Sequence, residues 1–551
     1  MRKGWGIIGS LLAVLGVAAP ASALDFSAHG YYRTRFHGLM NLDTQKQSAL
    51  SNGRFSLIQF NQMRLRVEPT LKLNDQLSLH TQFDILDNVV FGSSTTKQLQ
   101  LHDPIVGTIT LPAGAGSLSL VGGAAGENGS INVRRAWMDI LAPIGKFRIG
   151  RQPIHWGLGI IQNDGNSAEG DFGDTVDGVT YLVQKVFADG AGLSIGALWD
   201  IPFESQFDPR IGGLGGAVRD NGQDTNQWGL VLFYERPDFD LGFFGAFRKR
   251  DGSNGTTTTA TNLAGTSVAA GIDGDTRMYI LDAYGKYRAG DISIAAEYVR
   301  IGGKVSTGVA LDAIPFSGLS GSGIIELPAK QDVAVNLAAL EVEGNFDWGG
   351  EFIVQTGFAQ GDGSPLSQRI TQFGFRPSYQ IGLLMFHYPL GTSPTLRDAT
   401  TGTSLTGGVP ITGNFINNAT YGALTYKHRL DVRNVIRQAN EFKVGARVLS
   451  AYAHKDPVSL DFAAFSYQSG TGGTAALPVL QSQGKWYGIE ADLLVEATFF
   501  DHLKTNLEFG VFVPGSAFDI NTNNPGGIIA AIPTDQAELA YGGRLSVTME
   551  F

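Results

Sequence analysis

Charged side chains recur at every second position in several segments of this chain. Residues 26–39, for example, place Arg33, Arg35 and His37 in one alternating set and apolar or hydroxyl side chains in the other. A row of guanidinium groups on one face of a strand can bind anions or pair with carboxylates. The alternating charged positions are mainly cationic in the first third of the chain and more acidic later: Arg33, Arg35, Arg64, Arg66, Arg135, Arg148 and Arg151, then Glu341, Glu343, Glu490, Asp492 and Glu496.

The elements that position these charges are predicted to be strands rather than helices. Apolar residues alternate with polar ones instead of recurring at the i, i+3 and i+4 spacing of a helix. Gly, Asn, Asp and Pro turn signals separate segments of roughly ten to fifteen residues, and the connections alternate between short and long. About 18 segments can be drawn, within a range of roughly 16 to 20. We therefore predict an all-β fold, a single transmembrane antiparallel β-barrel domain over residues 24–551 with long extracellular loops.

A soluble β-sandwich or propeller is the alternative fold. No repeat of fixed period supports a propeller. The apolar stripes are also unusually aromatic: residues 487–499 place apolar side chains at seven alternate positions, beginning with Tyr487 and ending with Phe499. Such a stripe predicts a lipid-facing strand with an aromatic residue at each membrane interface.

The start of the chain predicts export. Arg2 and Lys3 precede an apolar run over residues 7–20, and Ala21-Ser22-Ala23 is a small-residue cleavage site. We predict a cleaved signal peptide over residues 1–23. A membrane anchor is the alternative, but the run is shorter than the ~20 residues of a spanning helix. The chain has no Cys, which excludes thiol chemistry and fits an oxidising compartment.

The end of the chain is a short alternating segment whose apolar side is Leu545, Val547, Met549 and Phe551. A final Phe at an apolar position resembles the last strand of bacterial outer-membrane β-barrels. That resemblance implies a Gram-negative outer-membrane location, with Phe551 as the signal read by the barrel-assembly machinery. Periplasmic chaperones, outer-membrane lipid and lipopolysaccharide are the other partners that it implies.

If the apolar face meets lipid, the charged face lines a lumen. Closure would bring the cationic first third next to the acidic later strands, and the two arcs would create a transverse field. The alternative is that these charges only pair across strands and hydrate the lumen. The field predicts a porin-like channel for passive diffusion or export of small polar or anionic solutes, or of carbohydrate. The net charge of -10 argues against a nucleic-acid partner.

The most specific inward stretch is residues 147–157, which leads into Asp-rich turns and the return segment 175–179. This strand, irregular loop and returning strand resemble the alginate-export type of porin. They also resemble an uncharacterised outer-membrane barrel family of myxobacteria and other deltaproteobacteria. In alginate-export porins a cationic constriction passes an acidic polysaccharide, and Arg148 and Arg151 stand at the matching place. The acidic second half of this chain departs from that type, so the resemblance implies porin architecture more than polyuronate export.

Four aspartates in one Gly-rich region, Asp164, Asp171, Asp174 and Asp177, supply enough oxygen ligands for a Ca²⁺ site. Their spacing matches no established Ca²⁺ motif, and solvated turn aspartates are the alternative. We predict no other cofactor.

Enzymatic function is not predicted. The chain has no Gly-x-Ser-x-Gly elbow, His-Glu-x-x-His helix or phosphate-binding Lys loop, and its nine His are scattered. His155 with Asp164 or Asp174 is the only candidate for a catalytic group at the barrel rim.

Two hypotheses of different classes remain beside that of a rim-site enzyme. The first is a channel narrowed by the 153–175 loop. The second is a surface or adhesion protein whose plugged barrel only anchors the long loops near 91–130, 251–274, 303–330 and 363–416. The apolar island at 381–388 has no predicted place in either. An open lumen would favour transport, and a lumen filled by side chains or a loop would favour the anchor.

Overall fold

The computed structural model describes most of the chain outside the longest connections. The described residues are 24–42, 44, 57–90, 131–203, 225–250, 257–261, 267–271, 275–305, 331–362, 369–391, 411–456, 466–468, 474–476, 481–482, 484–521 and 537–551. The predicted signal peptide and the 91–130 loop lie outside them, as do most of the predicted loops at 251–274 and 303–330 and part of the one at 363–416. In the described part of the chain, no helix is long and apolar enough to cross a membrane.

Eighteen antiparallel strands form one closed barrel, in agreement with the predicted number. In chain order they are β1 Asp25–Met40, β2 Ile58–Asn74, β3 Leu77–Val90, β4 Ile131–Ala142, β5 Gly145–Pro153, β6 Thr175–Val186, β7 Gly192–Phe203, β8 Thr225–Glu235, β9 Phe239–Arg250, β10 Thr276–Ala289, β11 Ile292–Val305, β12 Gln331–Asn345, β13 Gly350–Ala359, β14 Ala419–Arg429, β15 Ala439–Ala453, β16 Trp486–Phe499, β17 Leu503–Pro514 and β18 Ala540–Glu550. A further strand of the same sheet, Arg369–Ile370, pairs in parallel with the start of β12.

Each strand pairs with its neighbours in sequence, and the first strand pairs with the last. The closing register runs from Tyr31 opposite Glu550 to Met40 opposite Tyr541. Phe551 extends this pairing, because its backbone exchanges hydrogen bonds with Gly30 at 2.9 and 3.0 Å. Closure leaves no unpaired strand edge, which is the requirement for a sheet that crosses a membrane.

Short and long connections alternate around the barrel, as predicted. The short ones lie at one end and include residues 75–76, 143–144, 187–191 and 290–291. The long ones, such as 154–174 and 360–418, lie at the other end. The described parts of these two connections turn back into the barrel.

The outward face carries large apolar side chains that are exposed. On β8 these are Trp228, Leu230 and Leu232, and on β10 the outward positions run from Tyr279 to Tyr287 with an aromatic residue at each end. A soluble domain does not leave so continuous an apolar band in water. The band and its terminal aromatic residues are typical of a barrel surrounded by lipid.

The prediction that Tyr487 begins the lipid-facing stripe at a membrane interface is wrong. The pairing of β15 with β16 shifts between Ala451 and Tyr452, and Gly488 at this irregularity has a φ of 115°. A shift of one residue moves a side chain to the opposite face of the sheet. Tyr487 is therefore buried inside the barrel against Phe386 and Phe518, whereas Ile489 and the following alternate residues face outward.

The inner face is not polar throughout. On β9 to β12 it carries Phe244, Ile280, Val299 and Leu337, all of them buried. Their cover is chain inside the barrel, including Trp156, Ile160 and Ile161 from one connection and residues 381–388 from another. The unplaced apolar island is thus part of an internal core, and apolar burial stabilises both connections in their inward positions.

Candidate functional site

The first inward segment comprises residues 154–174 and joins β5 to β6. Its base closes on itself, since Asp174 N donates to Asn163 O at 2.7 Å and Asn163 N donates to the Asp174 carboxylate at 2.8 Å. Asn163 and Asp164 also accept hydrogen bonds from the backbone N–H groups two residues further on. Such Asx turns give a Gly-rich segment a fixed shape without regular secondary structure.

Asp171 holds this segment against the cationic wall. Its carboxylate lies 2.8 Å from Arg33 Nη2, 2.5 Å from Arg35 Nη1 and 3.8 Å from Arg64 Nη2. The same guanidinium groups donate to backbone carbonyls of the segment, for example Arg64 to Gly170 O at 2.8 Å. Every charge of this cluster is therefore paired inside the barrel, which a buried ionic network requires.

The alternation of β1 and β2 explains why one carboxylate meets three arginines. Arg33 and Arg64 stand directly opposite each other in the β1–β2 register, and Arg35 is the next inward residue on β1. Like charges in such positions repel unless an anion lies between them. Burial alone would raise the pKa of Asp171, but Arg35, Arg33 and Arg64 hold this pKa well below its usual range. The carboxylate consequently stays ionised in mildly acidic water.

The predicted arginines lie on the inward face with one exception, but most do not line open water. Arg33, Arg35, Arg64, Arg66 and Arg135 are fully buried. Arg66 binds the Asp84 carboxylate at 2.7 and 2.8 Å and donates to Gly165 O, and Arg135 donates to Asn166 and to Asp164 O. These side chains anchor the first inward segment, so their predicted exposure to a passing solute is wrong.

Arg148 and Arg151 face opposite sides of the sheet because they are three residues apart on one strand. Arg148 faces inward, binds Asp139 at 2.8 and 3.0 Å and lies over the Trp137 ring. Arg151 shares the outward face of Ile149 and pairs with Asp177 at 2.7 Å, with side-chain exposures of 54% and 49%. The prediction that Arg151 lines the lumen is therefore wrong.

The second inward segment comprises residues 369–391, between β13 and β14. At its centre the buried Glu490 carboxylate accepts hydrogen bonds from the backbone N–H groups of Leu383, Leu384 and Met385 at 2.6, 2.8 and 2.5 Å. A carboxylate held by three N–H donors makes strong charge-assisted hydrogen bonds. Glu490 therefore fixes a backbone turn. The prediction that it lines open water is wrong.

The other predicted carboxylates are also engaged or placed near the second segment. Asp492 pairs with Arg447 at 2.7 Å, and Glu496 pairs with Lys427 at 2.8 Å. Glu341 accepts from the Tyr379 hydroxyl at 2.8 Å, and Glu343 occupies the next inward position on β12. The cationic and acidic arcs both exist, and much of each is neutralised locally.

The two inward segments meet inside the barrel. Arg376 of the second pairs with Asp174 of the first at 2.8 Å, and its Nε donates to Ile161 O at 3.0 Å. Its backbone N–H donates to Ile160 O at 2.8 Å, and Phe172 exchanges hydrogen bonds with Ser378. Burial raises the pKa of Asp174 despite Arg376, in contrast to Asp171 with its three arginines. The lumen is thus crossed by two segments in direct contact.

The four aspartates proposed for Ca²⁺ are not brought together. Asp171 binds arginines of β1 and β2, Asp174 binds Arg376, Asp177 lies on the outer face and Asp164 caps its own turn. Among the residues described, no group of three or more His, Asp or Glu side chains is arranged to hold a metal ion. The prediction of solvated turn aspartates is equally wrong for Asp171, which is buried.

The candidate rim catalytic group has little geometry in its favour. His155 Nδ1 lies 3.7 Å from Asp164 Oδ1, beyond hydrogen-bond distance, and both side chains are partly exposed. Asp174, the other proposed partner, is occupied by Arg376.

The ion network at the crossing includes two residues that sequence reasoning missed, Arg376 and Glu169. Arg376, Glu169, Glu508 and Arg544 belong to the ion network, with Arg544 to Glu508 at 2.6 Å and Arg35 to Glu169 at 3.1 Å. Glu508 and Arg544 follow the period-2 pattern, which predicts their inward positions. Arg376 and Glu169 lie in irregular connections, where no periodic signal exists.

Comparison with known proteins gives structural matches only. No protein-family model matches the chain, and no curated protein matches it. Among solved structures, the outer membrane protein opdK from Pseudomonas aeruginosa is 9% identical with a TM-score of 0.41, covering 96% of this chain and 98% of that one. The anion-selective porin from Comamonas acidovorans is 10% identical with a TM-score of 0.38, covering 96% and 100%. OmpT of Vibrio cholerae, in its trimer form, is 11% identical with a TM-score of 0.34, covering 96% and 100%. These values carry neither function nor substrate to this chain, and the resemblance to alginate-export porins stays a prediction.

Proposed function

We propose that this chain is a porin-like channel of the bacterial outer membrane, narrowed at mid-barrel by the two inward segments. It passes small polar or anionic solutes passively. The observation that carries the proposal is a closed 18-strand barrel that is apolar outside and holds two inward segments across its interior, each bound to charged side chains of the wall. Channels of this kind keep their walls rigid and set selectivity at such a constriction.

Exposed cations beside buried carboxylates support the choice of anionic solutes. Lys146 and Arg148 have side-chain exposures of 39% and 30%, whereas their shared partner Asp139 has 10%. Arg376 is 43% exposed and its partner Asp174 is 19% exposed. Water in these parts of the lumen therefore contacts the positive member of each pair more than the negative one. Low-dielectric walls would strengthen the resulting field.

On the opposite wall the order is reversed, because Glu496 is more exposed than Lys427. A weak transverse field across the lumen remains after local pairing. Such a field orients dipolar solutes, so neutral polar molecules such as carbohydrates remain within the proposed class.

Planar-bilayer recording of the purified protein tests the proposal. In a KCl gradient we expect anion selectivity, and Lys146→Gln/Arg148→Gln should lower the anion-to-cation permeability ratio roughly two- to threefold because two exposed lumen charges are lost. Lys185→Gln is the matched control, since Lys185 lies on the outward face of β6 beside Phe187. Selectivity that is unchanged by the lumen variant would contradict the anionic preference.

The second candidate is a barrel-anchored surface protein with a plugged lumen. It is favoured by the complete burial of Arg33, Arg35 and Arg64 under the first inward segment. A wild-type protein that inserts into the bilayer and passes no ions would establish this candidate and exclude the channel.

A further inference from the structure

Two buried histidines meet where the second inward segment rests on the barrel wall. We call residues 383–388 the tip of that segment. His387 of the tip is 7% exposed, and His37, an inward residue of β1, is 3% exposed. Tyr388 joins them, since its hydroxyl lies 2.8 Å from His37 Nδ1 and its ring centroid lies 4.5 Å from that of His387. Both imidazoles therefore belong to the contact between the tip and the wall.

The surroundings of the two imidazoles suit neutral rings. Among the described residues, the Nε2 atoms of His37 and His387 have no hydrogen-bond partner, and the His37 ring stacks on that of Phe60 at a centroid distance of 4.4 Å. The charged groups that face the site or pair with those that do are Arg33, Arg35, Arg544, Asp171, Glu169, Glu508 and Glu490.

Each carboxylate of this set is already engaged. Asp171 is shared by the arginines of β1, Glu169 pairs with Arg35, and Glu508 pairs with Arg544. Glu490 accepts the backbone N–H groups of the tip itself. A proton on either imidazole would therefore add a cation to a buried site that already holds arginines, which is unfavourable.

The tip also contains a strained backbone position. Phe386, the residue before His387, has a φ of 64°, in the left-handed region that a bulky side chain rarely adopts. Its ring packs edge-on against Tyr487 of β16, with the centroids 5.8 Å apart. Such a conformation persists only while the surrounding contacts impose it. A weaker contact at His387 consequently favours movement of the whole tip.

Proton binding by His387 couples the position of the tip to pH. Burial lowers the pKa of His387 well below its usual range, and Arg544 and Arg35 lower it further, while Asp171 opposes them. The seated tip thus binds fewer protons than a released one. Its stability is fully present above the usual imidazole pKa of about 6.5 and is lost progressively as the pH falls below that value. The loss is about tenfold in the seating equilibrium per pH unit, as long as the seated imidazole stays neutral.

We propose that His387 and His37 form an acid-operated latch, in which protonation of the imidazoles unseats the tip and widens the constriction. Histidine suits this role because its charge changes in the mildly acidic range. The latch rests on the proposed function, since a wider constriction has an effect only in a channel that conducts.

Thiol labelling of the full chain in detergent tests the latch, because the sequence has no Cys. Met385→Cys places a reporter in the tip at a side chain that is 0% exposed. Val435→Cys, at a position that is 86% exposed, corrects for the pH dependence of thiol reactivity. From about pH 6.5 to about pH 5.5, the corrected labelling rate at position 385 should rise about tenfold, because labelling follows the population of released tip.

The histidine variants are made in the Met385→Cys chain. His37→Gln/His387→Gln should remove the rise, because the amides bind no proton in this range. His155→Gln is the matched control and should leave the rise unchanged, since His155 is a partly exposed histidine of the first inward segment. Circular dichroism verifies that each variant folds.

Two outcomes would overturn the latch: a corrected rate at position 385 that does not change with pH, or an equal rise in the double histidine variant. Planar-bilayer conductance separates the latch from the channel, because labelling requires no current. A protein that conducts but shows labelling independent of pH refutes only the latch. Acid-dependent labelling in a barrel that passes no ions refutes the channel and supports the unseating of the tip.

Discussion

The two inward segments are held in the same barrel by different physics. The first buries Trp156, Ile160 and Ile161 and is also held by charge, because Asp171 and several backbone carbonyls bind buried arginines of β1 and β2. The second is held by apolar burial around Leu384 and Met385, with a single wall carboxylate, Glu490, capping its backbone. One segment brings the anion to a cationic wall, and the other brings N–H donors to an acidic wall.

This difference predicts different responses to perturbation. A complete buried ion cluster contributes little net stability, because desolvation offsets its attraction. Removal of one partner is strongly destabilising, because it leaves uncompensated buried charges. Apolar packing is spread over many contacts, so loss of one polar anchor loosens a segment without expelling it. The first segment, in its part around Asp171, is therefore the one expected to respond more strongly to the loss of a single polar partner.

The largest effect is expected from Asp171→Ala. Three buried guanidinium groups lose their shared carboxylate, which should weaken the seating of the first segment by about 3–5 kcal/mol. Protease cleavage within residues 154–174 and single-channel conductance should both rise. Asp177→Asn is the control, because Asp177 forms an ion pair on the outer face. If the cleavage pattern and conductance of Asp171→Ala match the wild type, the first segment is not held by charge.

A smaller effect is expected from Glu490→Gln. The substitution replaces the carboxylate with an uncharged amide, so the three N–H donors lose the negative charge that they share. The hydrogen-bonded turn should be destabilised by about 2–3 kcal/mol. Hydrogen exchange at the amides of Leu383, Leu384 and Met385 should accelerate, while those of the first segment keep their protection. Glu496→Gln is the matched control on the same strand. Expulsion of the whole second segment would contradict the dominant role of its apolar packing.

The smallest effect is expected at the contact between the segments. Arg376 is partly exposed, so its ion pair with Asp174 should contribute less than about 1 kcal/mol. A double-mutant cycle of Arg376→Gln and Asp174→Asn, measured by urea unfolding in detergent, gives this coupling energy. A coupling of several kcal/mol would mean that the segments move as one body and would remove the distinction between them.

The inward side chains of the barrel strands could mostly be predicted from the sequence. The positions of the two inward segments that cover them could not. The period-2 pattern placed Arg33, Arg64 and Arg148 on the inward face correctly, because side chains alternate in every regular strand. Arg151 was misplaced because an odd separation from Arg148 puts it on the opposite face. Tyr487 was misplaced because a local shift of register at Gly488 leaves no signal in the alternation.

The sequence by itself determined the barrel: alternation, turn signals and strand number follow from local steric and solvation preferences. Only the tertiary structure decided which inward charges meet water. Asp171 of the first inward segment is 138 residues from Arg33 in the sequence, and Leu383 of the second is 107 residues from Glu490. Both segments are connections without periodicity. Those contacts depend on the closed shape of the barrel, which brings distant walls and connections within hydrogen-bond distance of each other.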